Sequence, residues 1–453
     1  MHYLNGTTHK NSADSTNTGS AVHCLTRIGF GLALCLTASI GHSESLMAIH
    51  NLAIGNDPQY KAAEATLAAA KEALPQSTAN FLPTVTVSAS HTENADSDIG
   101  ASNNASLTLN QPIYQYGNFV QRRTAQSTVA QAEAEFHSAE QALILSVAQA
   151  YFNVLSAQDN LQFAEAEKQS NARQLDQSQQ RFDVGLVAIT DVHESRAAYD
   201  IAVAQAIEAQ NNLDAANESL REITGSYHSD LAALGEDMPL LPPSPESLQD
   251  WTELALEQNA NLKAVEESTR QAREYVNAQR SDNYPSINLT LSHSQNDGSY
   301  IAPGGATIST NTDSNTAMLS LNLALYRGGS TSSYITQARE YLKQSQQYLE
   351  QTRRATQRTV RNAYRGVLSG ISRVKALKQA LISNQSALKA AEAGYEVGTR
   401  TTVDVLVARR NLFSAQRDYS QSRYNYMLDT LRLQQAAGTL TASNLKTVSD
   451  WLR

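Results

Sequence analysis

Acid and base come together at two matching turns of this sequence. Asp191 follows the pair Val184-Gly185, and Arg400 and Asp404 follow the pair Val397-Gly398. A carboxylate and a guanidinium set at two turns can form charge-assisted hydrogen bonds. Plainer roles exist for each. Asp191, after Thr190, can cap a helix, Arg400 can be a solvated surface charge, and Asp404 can face water on an Ala-rich helix. The six histidines beyond residue 43 are scattered and show no metal-ligand spacing. No nucleophile–base pair, phosphate loop or carboxylate pair stands out. The chain reads as a non-enzyme that needs no cofactor and no metal.

The turns belong to a duplication. "RFDVGLVAITDV" from Arg181 and "GYEVGTRTTVDV" from Gly394 align at a spacing of 213 residues. The same register pairs Ala150-Tyr151 with Ala363-Tyr364 and Thr224-Gly225 with Ala437-Gly438. Upstream, Pro83 pairs with Pro285 at 202 residues, so the second copy carries extra residues in between. A repeat of this length dictates architecture: two similar halves side by side.

Residues 1–43 read as a secretory leader. Arg27 precedes an apolar run from Ile28 to Ile40, and the small residues Gly41 and Ser43 follow. The polar stretch before Arg27 is long for a leader and points to an early start codon. Both cysteines, Cys24 and Cys35, lie in this segment, so the remainder has no disulfide and no thiolate metal site. "LALC" at Leu32 has Leu where a lipoprotein box needs a small residue before Cys35. The net charge is −9, and the leader (Lys10, Arg27, Asp14) carries +1, leaving −10. An acidic chain without basic clusters argues against a nucleic-acid partner.

The elements that must carry the turns are long helices. Asn118 to Val184 contains no Gly or Pro over 67 residues, and Leu186 to Thr224 none over 39. The second half repeats this from Ser330 to Ala393, with Gly366 and Gly370 inside, and over the 39 residues from Thr399 to Ala437. At 1.5 Å per residue the longest run spans roughly 100 Å, and Gly185 and Gly398 turn each helix back as a hairpin. Apolar positions are mostly Ala with scattered Leu, Val and Tyr, lacking the strong Leu and Ile seam of a two-stranded coiled coil. Small residues on two flanks suit helices packed laterally into a wall. Tyr151 and Tyr364 read as packing residues.

Four segments alternate with period two: Thr84–Ala89, Ser106–Leu109, Ser286–Leu291 and Leu319–Leu323. One row is apolar and the other is Ser, Thr and Asn, which is the weak signature of an outer-membrane strand. The expected strands are 81–92, 105–114, 284–293 and 317–326, joined by polar loops from His91 to Ala105 and from His293 to Thr316. Phe81, Tyr114, Tyr116, Tyr284 and Tyr326 mark the helix-side ends and are expected to form an aromatic girdle at the membrane interface; ordinary packing at a strand–helix junction is the plainer reading. Four strands cannot close a membrane barrel, and open edges are not tolerated in lipid. The chain must therefore oligomerise, and strand counting alone permits a dimer of eight or a trimer of twelve.

"VAQAYFNVL" at Val147, "QLDQSQQRFDVGLVAITDV" at Gln174, "NNLDAANESLREITG" at Asn211 and "EAGYEVGTRTTVDVL" at Glu392 resemble the TolC family of outer-membrane channels from about Glu44 to Leu440. The resemblance implies a mainly α homotrimer: a twelve-stranded β-barrel continuous with a periplasmic α-barrel and belted by an equatorial domain. It implies a passive duct for drug efflux or type I protein secretion, opened at its tip by a periplasmic adaptor (membrane fusion) protein and an inner-membrane pump of RND, ABC or MFS type. It places an acidic ring at Asp404. It makes Asp191 the acceptor for Tyr395 and Arg400, and pairs Gln174 with Glu392. Val407 stands where a second acidic ring would be, so an apolar collar is expected there. The turns Val184-Gly185-Leu186 and Val397-Gly398-Thr399 are the expected adaptor contacts.

The domain plan is a leader (1–43), a first repeat (44–225), a connecting equatorial segment (226–255), a second repeat (256–438) and a C-terminal equatorial segment (439–453). The alternative function is a periplasmic helical-hairpin adaptor or scaffold, which would lack the paired strands.

Overall fold

The computed structural model describes residues 44–93, 99–228, 230–235 and 238–452; the expected leader lies outside them. The order is α1 (Leu46–Asn56), α2 (Pro58–Lys71), α3 (Ala73–Ala79), β1 (Thr84–Thr92), β2 (Ile99–Gln115), α4 (Tyr116–Asp183) and α5 (Ile189–Thr224). It then repeats as α6 (Leu248–Gln258), α7 (Ala260–Ser281), β3 (Ser286–Ile301), β4 (Thr307–Asn322), α8 (Ser330–Glu396) and α9 (Thr402–Ala437), and ends with α10 (Ala442–Ser449).

The duplication reaches further upstream than the sequence motifs show. Helices α1 and α6 are both 11 residues long, and Ser45 and Ser247 cap them by accepting from the amides of Ala48 and Asp250. Asp57 and Asn259 cap α2 and α7 in the same way. The boundary expected at 255/256 therefore falls inside α6, and the second copy begins at Ser247. The cap serine is the local signal, and it follows the Pro-rich loop directly.

Helices α4 and α8 run 68 and 67 residues, and α5 and α9 run 36 each. Both tip turns use a glycine at φ +76°, Gly185 and Gly398, a conformation open to Gly at no steric cost. The amides of Leu186 and Thr399 close the same turn onto Arg181 O and Gly394 O, each at 2.8 Å. Helix α4 packs against α7 on the strand side and against α5 and α9 on the tip side, and α8 packs against α7 and α9. The helices form a wall rather than a bundle with one central axis. The main apolar core is a belt at mid-length, where Tyr151, Phe152, Val360, Tyr426 and Leu431 meet Leu46, Trp251 and Leu445 from α1, α6 and α10. Tyr151 donates to Glu44 O and Ala232 O, and Tyr364 to Glu246 O, so both repeat tyrosines tie the long helices to the belt.

The four strands form one antiparallel sheet in the order β1-β2-β3-β4. Val85, Leu109, Leu291 and Ala317 line up across it on one face, and Thr86, Thr108, Ser292 and Thr316 on the other. β2, β3 and β4 are longer than expected, whereas β1 starts at Thr84 rather than 81, β3 at Ser286 rather than 284, and β4 ends at Asn322 rather than 326. β3 and β4 pair continuously from Ser286↔Asn322 to Ile301↔Thr307, through most of the segment read as a loop. Ladder bonds are made by the backbone, so polar side chains do not end them; His293–Asn315 (2.8 Å) and Thr310 to Gly298 O (3.3 Å) add side-chain bonds there. Among the described residues no helix is long and apolar enough to cross a membrane.

Candidate functional site: the hairpin tips and the seam between them

Each tip ends in exposed apolar side chains. Val184 and Leu186 are 70% and 75% exposed on the first hairpin, and Val397 is 74% exposed on the second. Both turns therefore leave apolar side chains uncovered.

The expected tip residues are placed as follows. Asp404 is the N3 residue of a capping box on α9. Its Oδ2 accepts from the amide and hydroxyl of Thr401, both at 2.9 Å, and its own amide donates to Thr401 Oγ1 at 3.2 Å. The Thr401 amide, then its hydroxyl and more weakly the Arg400 guanidinium hold the Asp404 carboxyl below its ordinary value. Arg400 lies 3.8 Å from Asp404, not on Asp191. It crosses the turn over Gly394, where a Cβ would sit 2.7 Å from Arg400 Cγ. Asp191 occupies the N3 position of α5, where Ala188 offers no hydroxyl and no side-chain cap forms. The Tyr395 hydroxyl is buried without a partner among the described residues, while its ring lies under the Arg181 guanidinium at 4.9 Å. The Gln174 Nε2 is likewise buried and unpaired, and Glu392 is bonded to Arg409 rather than to Gln174. Val407 is exposed on α9.

Above the tips the two hairpins meet along a polar seam between α4 and α9. Arg409 donates to Ser170 O (3.3 Å), Arg417 to Glu167 (3.2 Å), Tyr424 to Asp159 (2.9 Å) and Ser156 to Gln421 (2.5 Å). Ser420 also donates to Asp159. Burial, and next the Asp159 charge, push the Tyr424 phenol far above its ordinary value, so it remains a neutral donor. The buried face of α4 here is Ala164, Glu167, Asn171, Gln174 and Ser178, spaced as one helical stripe. The apolar belt thus gives way to hydrogen bonds and ion pairs toward the tips.

At the strand–helix junction the aromatics pair. Tyr116 meets Tyr284 at 4.6 Å, and Phe81 and Tyr114 both meet Phe119, at 5.0 and 6.4 Å. Tyr326 lies between β4 and α8 and is exposed.

A family model described as outer membrane efflux protein matches residues 49–226 and 251–439. The chain belongs to the outer membrane efflux protein family. The outer membrane protein TolC of Vibrio cholerae serotype O1 is 37% identical over 427 residues, covering 93% of this chain and 97% of that one. TolC of Escherichia coli K12 is 35% identical, covering 93% and 88%. The alkaline protease secretion protein AprF of Pseudomonas aeruginosa is 28% identical, covering 93% and 90%. The solved structure of CusC superposes with a TM-score of 0.75 at 19% identity, covering 87% of this chain and 92% of that one. VceC of Vibrio cholerae gives 0.72 at 19%, covering 87% and 96%. These two establish the fold. As a member of this family the chain is an outer-membrane protein and a transport duct, and the comparisons give no support to the adaptor alternative.

Sequence reasoning missed Arg409, Arg417, Glu167, Arg181, Thr401 and Phe119. Arg409 was open to detection: Thr402, Val405, Arg409 and Phe413 fall on one buried stripe of α9, so a helical-wheel count puts this arginine inside. Thr401-x-x-Asp404 has the spacing of a capping box, with Asp in place of the usual Glu or Gln. Nothing local points to Arg181 over Tyr395, which needs both hairpins.

Proposed function

We propose that three copies of this chain form a passive, gated exit duct for drug efflux, type I protein secretion or both, without catalytic activity of its own. The observation that carries this is the sheet. It is a four-stranded, alternating antiparallel sheet whose edges β1 and β4 have no partner among the described strands, and its apolar side chains are uncovered, Val87 and Leu319 among them. Open edges are not stable in lipid, so the sheet closes against further copies. The family resemblance favours three, with twelve strands. The long helices continue the duct into the periplasm and end at the tips.

The tips are the gate. Among the described residues, the buried Tyr395 hydroxyl has no acceptor, and the N-cap of α5 beside Asp191 makes no side-chain cap bond. Closing the tips brings such groups together, with Tyr395 and Arg400 donating to Asp191 and Gln174 donating to Glu392. The exposed Val184, Leu186 and Val397 and the adjoining Gly185, Gly398 and Thr399 receive a periplasmic adaptor. An adaptor that binds the open arrangement more tightly shifts the population toward it, under an inner-membrane pump of RND, ABC or MFS type. Asp404 and Val407 line the constriction as an acidic ring and an apolar collar.

Outer-membrane fractions should contain an SDS-resistant trimer that conducts in planar bilayers. A soluble monomeric species in the periplasm would overturn the duct.

A further inference from the structure

We infer that Arg409 is a clasp that fastens the second hairpin to the first independently of the tip links, which are unmade while the clasp is formed, and that its release widens the duct above the tips. The inference rests on the gated-duct reading and adds a lock above the tips. Arg409 sits on the inward stripe of α9 with its side chain only 9% exposed. Its guanidinium divides between two helices: Nη2 lies 3.3 Å from Glu392 on α8, and Nη1 donates to Ser170 O on α4, also at 3.3 Å. One planar fork thus ties three helices, a geometry that the point charge of a lysine does not reproduce. Glu392 is 45% exposed, so water reaches the acid but scarcely reaches the base.

The first hairpin shows that the clasp is specific to one copy. Counted back by 213 residues, Arg409 becomes Arg196 and Glu392 becomes Gln179. Arg196 is exposed and forms no ion pair among the described residues. An arginine at the same place in the same helix is therefore buried only where α9 lies between α4 and α8. Swinging α9 away from α4 strips Arg409 of the Ser170 carbonyl. The cation is then left half-desolvated with one partner, or it moves into water with α9.

The test compares single-channel conductance of trimers in planar bilayers, alongside the temperature at which the SDS-resistant trimer dissociates. Arg409→Ser should raise conductance several-fold over wild type. Glu392→Gln, which leaves Arg409 in place with one weakened partner, should give a smaller rise, as should Arg409→Lys. The double variant Arg409→Ser with Glu392→Gln should match Arg409→Ser alone, because both remove one link. Arg410→Ser, an exposed neighbour with the same change of charge, should conduct as wild type. If Arg409→Ser fails to assemble, Arg409→Lys and Glu392→Gln carry the test. Wild-type conductance in assembled Arg409 and Glu392 variants overturns the clasp, as does an Arg410→Ser effect equal to that of Arg409→Ser. If Tyr395→Phe with Arg400→Ser opens the channel while the Arg409 variants do not, the clasp alone fails. If none of them changes conductance, the gated tip fails with it.

Discussion

The two hairpins are copies, yet they are held in different ways. In the first, Ser178 and Ser195 share a buried hydrogen bond at 3.0 Å between α4 and α5. The equivalent residues of the second are Ala391 and Ala408, which offer no such bond. The second hairpin instead uses charge: Arg409 to Glu392, Arg400 beside Asp404, and the Thr401–Asp404 box. Asp191 and Asp404 are equivalent residues, but Ala188 stands where Thr401 stands, so only Asp404 is occupied within its own hairpin. The first hairpin is closed on itself by neutral bonds and keeps a free carboxylate at its tip. The second uses its charges both within itself and across the seam, where Arg409 and Arg417 reach Ser170 O and Glu167. The same helix lengths and turns thus yield one arm tied by a neutral hydrogen bond and one whose arginines supply charged bonds to the seam.

The largest expected difference between the copies is at their far ends. Gly225 and Gly438 both adopt φ +78° after α5 and α9. A Cβ at Gly438 would meet Gln258 O at 2.4 Å, whereas at Gly225 the nearest atom is Asn56 Cβ at 3.7 Å. Gly225→Ala should cost about 1–2 kcal/mol for the left-handed backbone alone. Gly438→Ala adds a backbone clash and should abolish trimer assembly, measured as yield of the SDS-resistant species. Equal yields from the two variants would mean that the α9–α6 junction can shift.

Next in size is the tip. Tyr395→Phe with Arg400→Ser should raise single-channel conductance several-fold without loss of trimer, and should admit bulky antibiotics to cells. Unchanged conductance would leave Asp191 with no part in closure.

Asp404 serves both as a cap and, in the proposal, as a pore charge. Asp404→Asn keeps an acceptor for Thr401 and should abolish block by multivalent cations with little change in trimer stability, while Asp191→Asn should leave block intact. Because the carboxyl is held below its ordinary value of 3.8, block should persist as pH falls through that value. The capping contribution follows the same sign: it is present above the ordinary value and lost as pH falls through the lowered one. Loss of block already near pH 5 would place another group at the constriction.

The smallest effect tests the neutral bond. Ser178→Ala leaves Ser195 unpaired and should cost about 1–3 kcal/mol. Adding Ser195→Ala recreates the Ala pair of the second copy and should recover most of it, read from the trimer's dissociation temperature. Strict additivity of the two substitutions would show that the hydrogen bond contributes nothing.

Legibility followed the range of the interaction. Helix ends at Thr224 and Ala437, the tip glycines and the two-faced strands could all be read, because each depends on residues within one or two turns of chain. The β3–β4 ladder runs beyond the alternating segments because backbone pairing is indifferent to the polar composition that suggests a loop there. The start of α6 rests on the single cap residue Ser247, a signal as short as the boundary it sets. At the tip, the residue types were in view, but their partners were not. The Gln174 Nε2 is buried without an acceptor among the described residues, and Glu392 is taken by an arginine five positions beyond Asp404.

The sequence by itself determined the duplication, the helix lengths, the two turns and the alternation of the strands, since periodicity and glycine backbone preference are local properties. Only the tertiary structure decided which of two equivalent arginines is buried, which of two equivalent aspartates is free, and that the seam below the belt is polar. The reason is that α9 lies between α4 and α8 while α5 flanks the wall, so equal sequences meet unequal surroundings.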